Sequence, residues 1–395
     1  MKVMKQTLRS LLIAAALVVP GFCLASPEND PALAPDIPSE QQTINSLWKE
    51  KKISEAMSVL QKRVASPEFS SLGQEIRGFY FYDLACGASL LGRSEEALAY
   101  LGMAVGNGYK DFVNLKSDSD LDPIRKNPGF LVLQEIVRRG GDYLTILRQH
   151  GDYARNTGTN SLTFTYQSRE DPDLTRLRET WKLESIAGNG DDASRVLNLL
   201  HWVHSQVRHD GNSENPEPRN ALHLLQVCQK ERRGINCRMM ATILNEACLA
   251  LGYKARHITC LPLDKQDNDC HVITAVWLEG FQKWVYLDPT FDASFADSHG
   301  TLLSIPEVRA RLINGEPLVL SKNANWNGQK KDPDEYLNYM AKNLVRFQCP
   351  QQSSFGYEST KGKKSYVELD DVRVKAEDSS GVNYTHDSTL FWSRP

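Results

Sequence analysis

Nowhere is the chain apolar for long enough to cross a bilayer. Its nearest approach, residues 10–19 (SLLIAAALVV), is ten residues long, about half of the ~20 that a membrane-spanning helix requires. No transmembrane helix is therefore expected. Positive charge is scarce too. With 46 Lys and Arg against 49 Asp and Glu, the formal charge is −3, which argues against a nucleic-acid partner. The cysteines and histidines show neither C-x-x-C nor H-x-x-x-H spacing, so neither a metal site nor a cofactor is expected. No pattern for recognising lysine or glutamine side chains is legible.

What is present is an ordinary globular composition, 41% hydrophobic and 24% charged over 395 residues. That length suits two or three domains of ~150 residues each. Lys2, Lys5 and Arg9 precede the short apolar run, and Cys23-Leu24-Ala25 offers a cleavage site after it. Residues 1–25 read as a signal peptide and the chain as exported, periplasmic or extracellular. Loss of those three bases takes the charge from −3 to −6. Cys23 is the alternative, a lipid-modified cysteine, although Phe22 is bulky for the position next to the bond cut. Eight cysteines less Cys23 leave seven. An odd number in an oxidising compartment predicts at least one free thiol.

Residues 26–41, rich in proline and acids, read as a linker. Residues 42–140 have helical periodicity. Within them KKISEAMSVL and GRSEEALAYL place Glu-Ala pairs at Glu55-Ala56 and Glu96-Ala97, 41 residues apart. The segment resembles a tetratricopeptide-like helical layer, whose repeat is about 34 residues, and such a layer implies a protein partner. A generic α-hairpin layer is the alternative. Residues 141–320 form the next unit. Gly140-Gly141 breaks the preceding helix, SLTFTYQ alternates like a strand, and helices follow at about 193–207 and 221–228. Residues 321–395 read as a C-terminal extension, a helix over DEYLNYMAKNLVRF and then strands at SYVELDDVRV and STLFW.

The chemistry concentrates in residues 230–292. After Cys237 the residues Met240, Ile243, Leu244, Ala247 and Leu251 fall on one helical stripe, which Gly252 ends. Cys237 thus opens an amphipathic helix, where unpaired backbone N–H groups favour a thiolate. Two β-like runs follow, HVITAVWL and KWVYLDP. A hairpin centred on Glu279-Gly280 would set His271 directly opposite Asp288, side chains on one face. Ile273, Ala275, Trp277, Trp284 and Tyr286 share that face and offer the Cys237 helix a surface to pack on. Thiolate, imidazole and carboxylate are the three parts of acyl transfer through a covalent intermediate.

The segments GINCRMMATILNEACLALGYKARHI, CHVITAVWL and KWVYLDPT together resemble the transglutaminase-like superfamily, over roughly residues 190–295. The resemblance implies an α+β, papain-like fold with an antiparallel sheet. It also implies Cys237 as nucleophile, His271 as base and acid, and Asp288 as the group that orients the imidazole. The backbone N–H of Cys237 would be one oxyanion donor. The sequence departs from the family pattern in two ways: its glycine, Gly234, lies three residues before the cysteine rather than two, and no aromatic or amide side chain stands out as the second oxyanion donor.

Other signals are weaker. Cys260 and Cys270 bracket a polar loop and are a candidate disulfide; metal binding by Cys260, Cys270, His257 and His271 is the sharper and less favoured alternative. Cys228, Cys248 and Trp202 read as core. His201, His204 and His209 read as solvated or hydrogen-bonded, and Lys230, Arg232 and Arg233 as a solvated loop or a carboxylate-binding group. Three readings follow: an exported cysteine enzyme cleaving or exchanging amide bonds of peptides or proteins; a catalytically inactive binding module at the cell envelope; or a structural domain with its other six cysteines paired.

Overall fold

The computed structural model describes residues 37–155, 162–360, 364–370 and 382–395. The stretch read as a signal peptide, most of the one read as a linker and the last four residues of SYVELDDVRV lie outside the described residues. The chain divides into two compact units, residues 1–143 and 144–395.

The first unit is helical. Helices Ile37–Lys49 and Ile53–Val64 pack in succession, as do Gln74–Leu90 and Ser94–Gly106. The first helix begins before residue 42, inside the stretch read as linker. The echoed segments are the second helix of each pair, and their starts, Ile53 and Ser94, keep the 41-residue offset. A shared core of Trp48, Ala56, Leu60, Leu84, Ala97, Leu101 and Phe130 joins them. The final helix, Pro128–Gly141, runs through Gly140-Gly141 and ends at Asp142.

The second unit is α+β. Its six-stranded sheet comprises β1 (Ala255–Leu261), β2 (His271–Leu278), β3 (Lys283–Leu287), β4 (Arg346–Pro350), β5 (Tyr366–Leu369) and β6 (Val382–Thr385), in spatial order β6-β5-β4-β1-β2-β3. All pairs are antiparallel except the edge pair β5–β6, which is parallel. The segment read as an extension thus supplies half of this sheet. Its helix stops at Asn343, and Arg346 and Phe347, expected at the helical end, open β4, which pairs with β1. STLFW is a helical turn, Ser388–Phe391, rather than a strand, because the Asp387 side chain accepts from the Thr389 and Leu390 amides. SLTFTYQ contributes only the two-residue strand Thr165–Tyr166.

The central element is the helix Cys237–Ala250, in which every residue except Arg238 is buried. Gly252 adopts φ +91° just past its end, the left-handed stop that favours glycine. Met240, Ile243, Leu244 and Ala247 pack with Val276, Leu278, Val285 and Leu287 of the sheet and with Leu199, Val203 and Leu225 of flanking helices. This is the sheet face opposite to the one expected to receive the helix.

One polar group lies inside this packing. Glu246 is fully buried and accepts from the Ala221 amide at 2.7 Å and the Gly356 amide at 2.9 Å. Burial raises its carboxyl to about 8 against those two bonds. The folded state therefore holds a proton that the unfolded chain releases above pH ~4.5, and stability should fall as pH rises from ~4.5 through about 8. Glu246→Gln, which cannot ionise, is expected to flatten that slope, read as the urea midpoint across the window.

Candidate active site

Cys237 begins its helix because Asn236 caps it: the Asn236 side chain accepts from the Met239 amide at 3.1 Å. The thiol is buried against Ala241 and Val272. His271 begins β2, so the two meet at the ends of their elements rather than across the packed face.

The β2–β3 hairpin differs from expectation in its centre. Leu278 pairs with Lys283 and Thr274 with Leu287, leaving a four-residue loop, residues 279–282, with Gln282 at φ +50°. The register is displaced by two from the expected one. An even displacement keeps every side chain on its face, so Asp288 is diagonal to His271 instead of opposite, within reach of a long side chain. His271 Nε2 lies 2.7 Å from Asp288 Oδ2.

Asp288 itself is fixed from four directions. Oδ2 also accepts from the Tyr336 hydroxyl at 2.7 Å, and Oδ1 accepts from the amides of Thr290 at 2.9 Å and Phe291 at 3.3 Å. Tyr286 and Tyr336 hydroxyls are 2.6 Å apart. Burial, then the Asp288 charge, hold Tyr336 well above the ordinary phenol value, so it stays a donor. Phe291 and Tyr339 meet the His271 ring edge-on, each with centroids 5.5 Å away.

The electrostatics favour a thiolate–imidazolium pair. Burial alone would raise the Cys237 thiol, but hydrogen bonds with His209 and His271 and the charge of His271 outweigh it and bring the thiol down to about 6. Burial would lower His271, but the Asp288 charge and hydrogen bond, and the bond to Cys237, raise it to about 10. With Nε2 on Asp288, the bond to sulfur falls to Nδ1.

The seven cysteines from Cys86 to Cys349 are free thiols in this structure, which therefore carries no bridge between Cys260 and Cys270. The register gives the reason. Cys260 pairs with His271 on one face, and in an extended chain the preceding residue, Cys270, points to the other. Cys228 and Cys248 are core residues, as is Trp202. His201 bonds Asp292 at 2.8 Å, and His204 bonds the Pro289 carbonyl and Asn325. Arg233 is half-buried and donates to the Glu214 and Gly234 carbonyls. Among the described residues the one cluster with metal-ligand spacing is Cys86, Asp118 and Asp120, in the helical unit. There Tyr82 and Cys86 already donate to Asp118.

Sequence reasoning passed over three contributors. Tyr336 sits 48 residues beyond Asp288 with no local signal. His209 is the hydrogen-bonded of the two alternatives read for it, and it is buried beside the thiol, a placement the sequence did not signal. Trp326 donates its indole N–H to His209 Nδ1 at 3.2 Å; the Asn327-Gly328 pair, with φ +49° and +80°, was a readable hairpin turn.

Residues 179–289 match the family model described as transglutaminase-like superfamily, a stretch that takes in Cys237, His271 and Asp288. No curated protein matches the chain. One similar solved structure is that of a candidate cysteine protease from Cytophaga hutchinsonii, at 18% identity and a TM-score of 0.25. The similarity covers 44% of this chain and spans 58% of that one. Among the described residues no helix is long and apolar enough to cross a membrane.

Proposed function

From the premise that residues 179–289 are a transglutaminase-like domain, we propose that the chain is an exported cysteine enzyme that hydrolyses amide bonds of peptides or proteins through a thioester. The observation that carries this reading is the Cys237–His271–Asp288 arrangement, with the thiol lowered and the imidazole raised. The thiolate adds to the scissile carbonyl carbon and the carbonyl π pair moves to oxygen. On collapse the C–N bond breaks, and the amine leaves with the proton held by His271. Neutral His271 then takes a proton from water, whose oxygen displaces the sulfur, releasing the acid and regenerating the ion pair. An amine in place of water would give transfer; nothing in the sequence marks an amine site, so hydrolysis is favoured. In this reading the helical unit is tetratricopeptide-like and holds a protein partner, and residues 1–25 direct export. N-terminal sequencing of the mature chain separates cleavage after Ala25 from lipid attachment at Cys23.

Trapping is the direct test. Quenching in acid during turnover of a peptide ester should leave an acyl group on Cys237 by peptide mass mapping, and none in Cys237→Ala. A wild-type protein that alkylates at Cys237 yet never acylates would return the chain to the inactive binding-module reading.

A further inference from the structure

The acyl-transfer reading leaves the oxyanion with one assigned donor, the Cys237 backbone N–H. We propose that His209 is the second: its Nε2–H donates to the oxygen of the tetrahedral intermediate. The inference rests on the proposed function and adds a residue to it.

Tautomer is the first argument. An indole N–H can only donate, and Trp326 Nε1 donates to His209 Nδ1 at 3.2 Å. Nδ1 must therefore carry a lone pair, so the ring is neutral with its hydrogen on Nε2. The side chain is buried and hydrogen-bonded with the Cys237 thiol, and with Nδ1 occupied the nitrogen that faces sulfur is the protonated one. Such a ring cannot take the cysteine proton and does not compete with His271 as base. It can only donate, to the thiolate at rest and to the oxyanion once the sulfur has added to the carbonyl.

Rigidity is the second argument, since an oxyanion donor acts through preorganisation. The backbone of His209 is clamped from both sides by one side chain: its amide donates to Asn327 Oδ1 at 2.8 Å and its carbonyl accepts from Asn327 Nδ2 at 3.0 Å. The hairpin carrying Trp326 and Asn327 is itself anchored, with Asn325 Oδ1 accepting from His204 and from the Gly328 amide. On the other side His209 bridges Ile235 in parallel, through Ile235 N to Arg208 O at 3.1 Å and Asp210 N to Ile235 O at 2.8 Å. That approach explains the displaced glycine. A Cβ on Gly234 would lie 2.6 Å from the Arg208 carbonyl oxygen and 2.6 Å from Asp210 Cβ. Only glycine lets the 208–210 segment, and His209 with it, lie beside the residues leading to Cys237. The two departures from the family pattern thus have one cause: the glycine moved to admit the segment that carries the donor.

Comparing two reactions of Cys237 at about pH 9, where the thiol is ionised, isolates the oxyanion. Alkylation by iodoacetamide forms no oxyanion; acylation by p-nitrophenyl acetate does. His209→Ala should lower the ratio of acylation to alkylation rates by about 10²–10³, the cost of losing one such donor. His209→Gln, which keeps an N–H near the Nε2 position, should restore it to within about tenfold. In the ¹⁵N spectrum His209 should show the Nε2–H tautomer alone, and a mixture in Trp326→Phe. An alkylation rate near wild type shows that each variant keeps its site, and His209→Gln carries the test where alanine prevents folding. An unchanged ratio, or an Nδ1–H tautomer in the wild type, overturns the role of His209 alone. A wild type that alkylates but is never acylated overturns it together with the proposed function.

Discussion

Replacing His271 by alanine is expected to slow acyl transfer far more than it slows alkylation of Cys237. Two effects oppose each other in alkylation. In the wild type the thiol lies at about 6, so at pH 7 the thiolate dominates. Without His271 the buried site pushes the thiol toward or above the ordinary 9.0, and the thiolate fraction falls by about two orders of magnitude. A thiolate of higher pKa is also the better nucleophile, with a Brønsted slope of about 0.4–0.5, which recovers roughly one order. The net loss for iodoacetamide at pH 7 should be about tenfold. Acyl transfer from an amide has no such compensation, because the leaving amine needs a proton that only His271 holds, and the loss should approach about 10⁴-fold. The pH profiles separate the cases as well. Wild-type alkylation should rise through about 6 and then stay level toward about 10, whereas the variant should rise only in the alkaline range. Equal losses in both reactions would show that His271 merely shapes the pocket.

The parts of this site that the sequence revealed are those governed by local periodicity. The Cys237 helix could be read from its apolar stripe and Gly252, and the β2–β3 strands from their composition. Their exact pairing could not, since the loop carries a positive-φ Gln282 where glycine would have marked the turn. The His271–Asp288 contact survived because the error was even, and strand faces depend only on parity. The face on which the Cys237 helix packs was unreadable for a different reason: both faces of β2 are apolar, and alternation informs only when one side is polar. Long-range parts left no trace. Tyr336 reaches Asp288 from the far side of a helix boundary, and β4 enters the sheet between β1 and β5 from a segment whose composition suits a helix end. His209 was visible as a residue, but the feature that defines it, a tryptophan 117 positions away, was not.

Asp288→Asn should be more damaging than its near-identical shape suggests. The wild-type carboxylate accepts four hydrogen bonds and donates none: Tyr336 and His271 meet Oδ2, and the Thr290 and Phe291 amides meet Oδ1. An asparagine has one oxygen: with it turned to the Thr290 and Phe291 amides, the NH₂ group faces His271 and Tyr336 in a fully buried position, and each must give up donating and turn to accept. A buried donor left without an acceptor costs about 1–3 kcal/mol, and with two donors to reorient around one NH₂ the variant should lose stability of about that size, read as a drop in the urea midpoint at constant slope. The chemistry suffers separately. The Asp288 charge is what overcomes burial at His271; without it the imidazole returns toward or below its ordinary 6.5, the ion pair with Cys237 is no longer favoured near neutrality, and the tautomer is unfixed, for a loss of about 10⁴ in turnover. Removing one of the competing donors distinguishes the two effects. Tyr336→Phe added to Asp288→Asn frees the NH₂ of one clash and should recover part of the stability, while turnover stays at its reduced level because the charge is still missing. Recovery of turnover along with stability would mean that Asp288 acts only by holding His271 in place, and that its charge is dispensable.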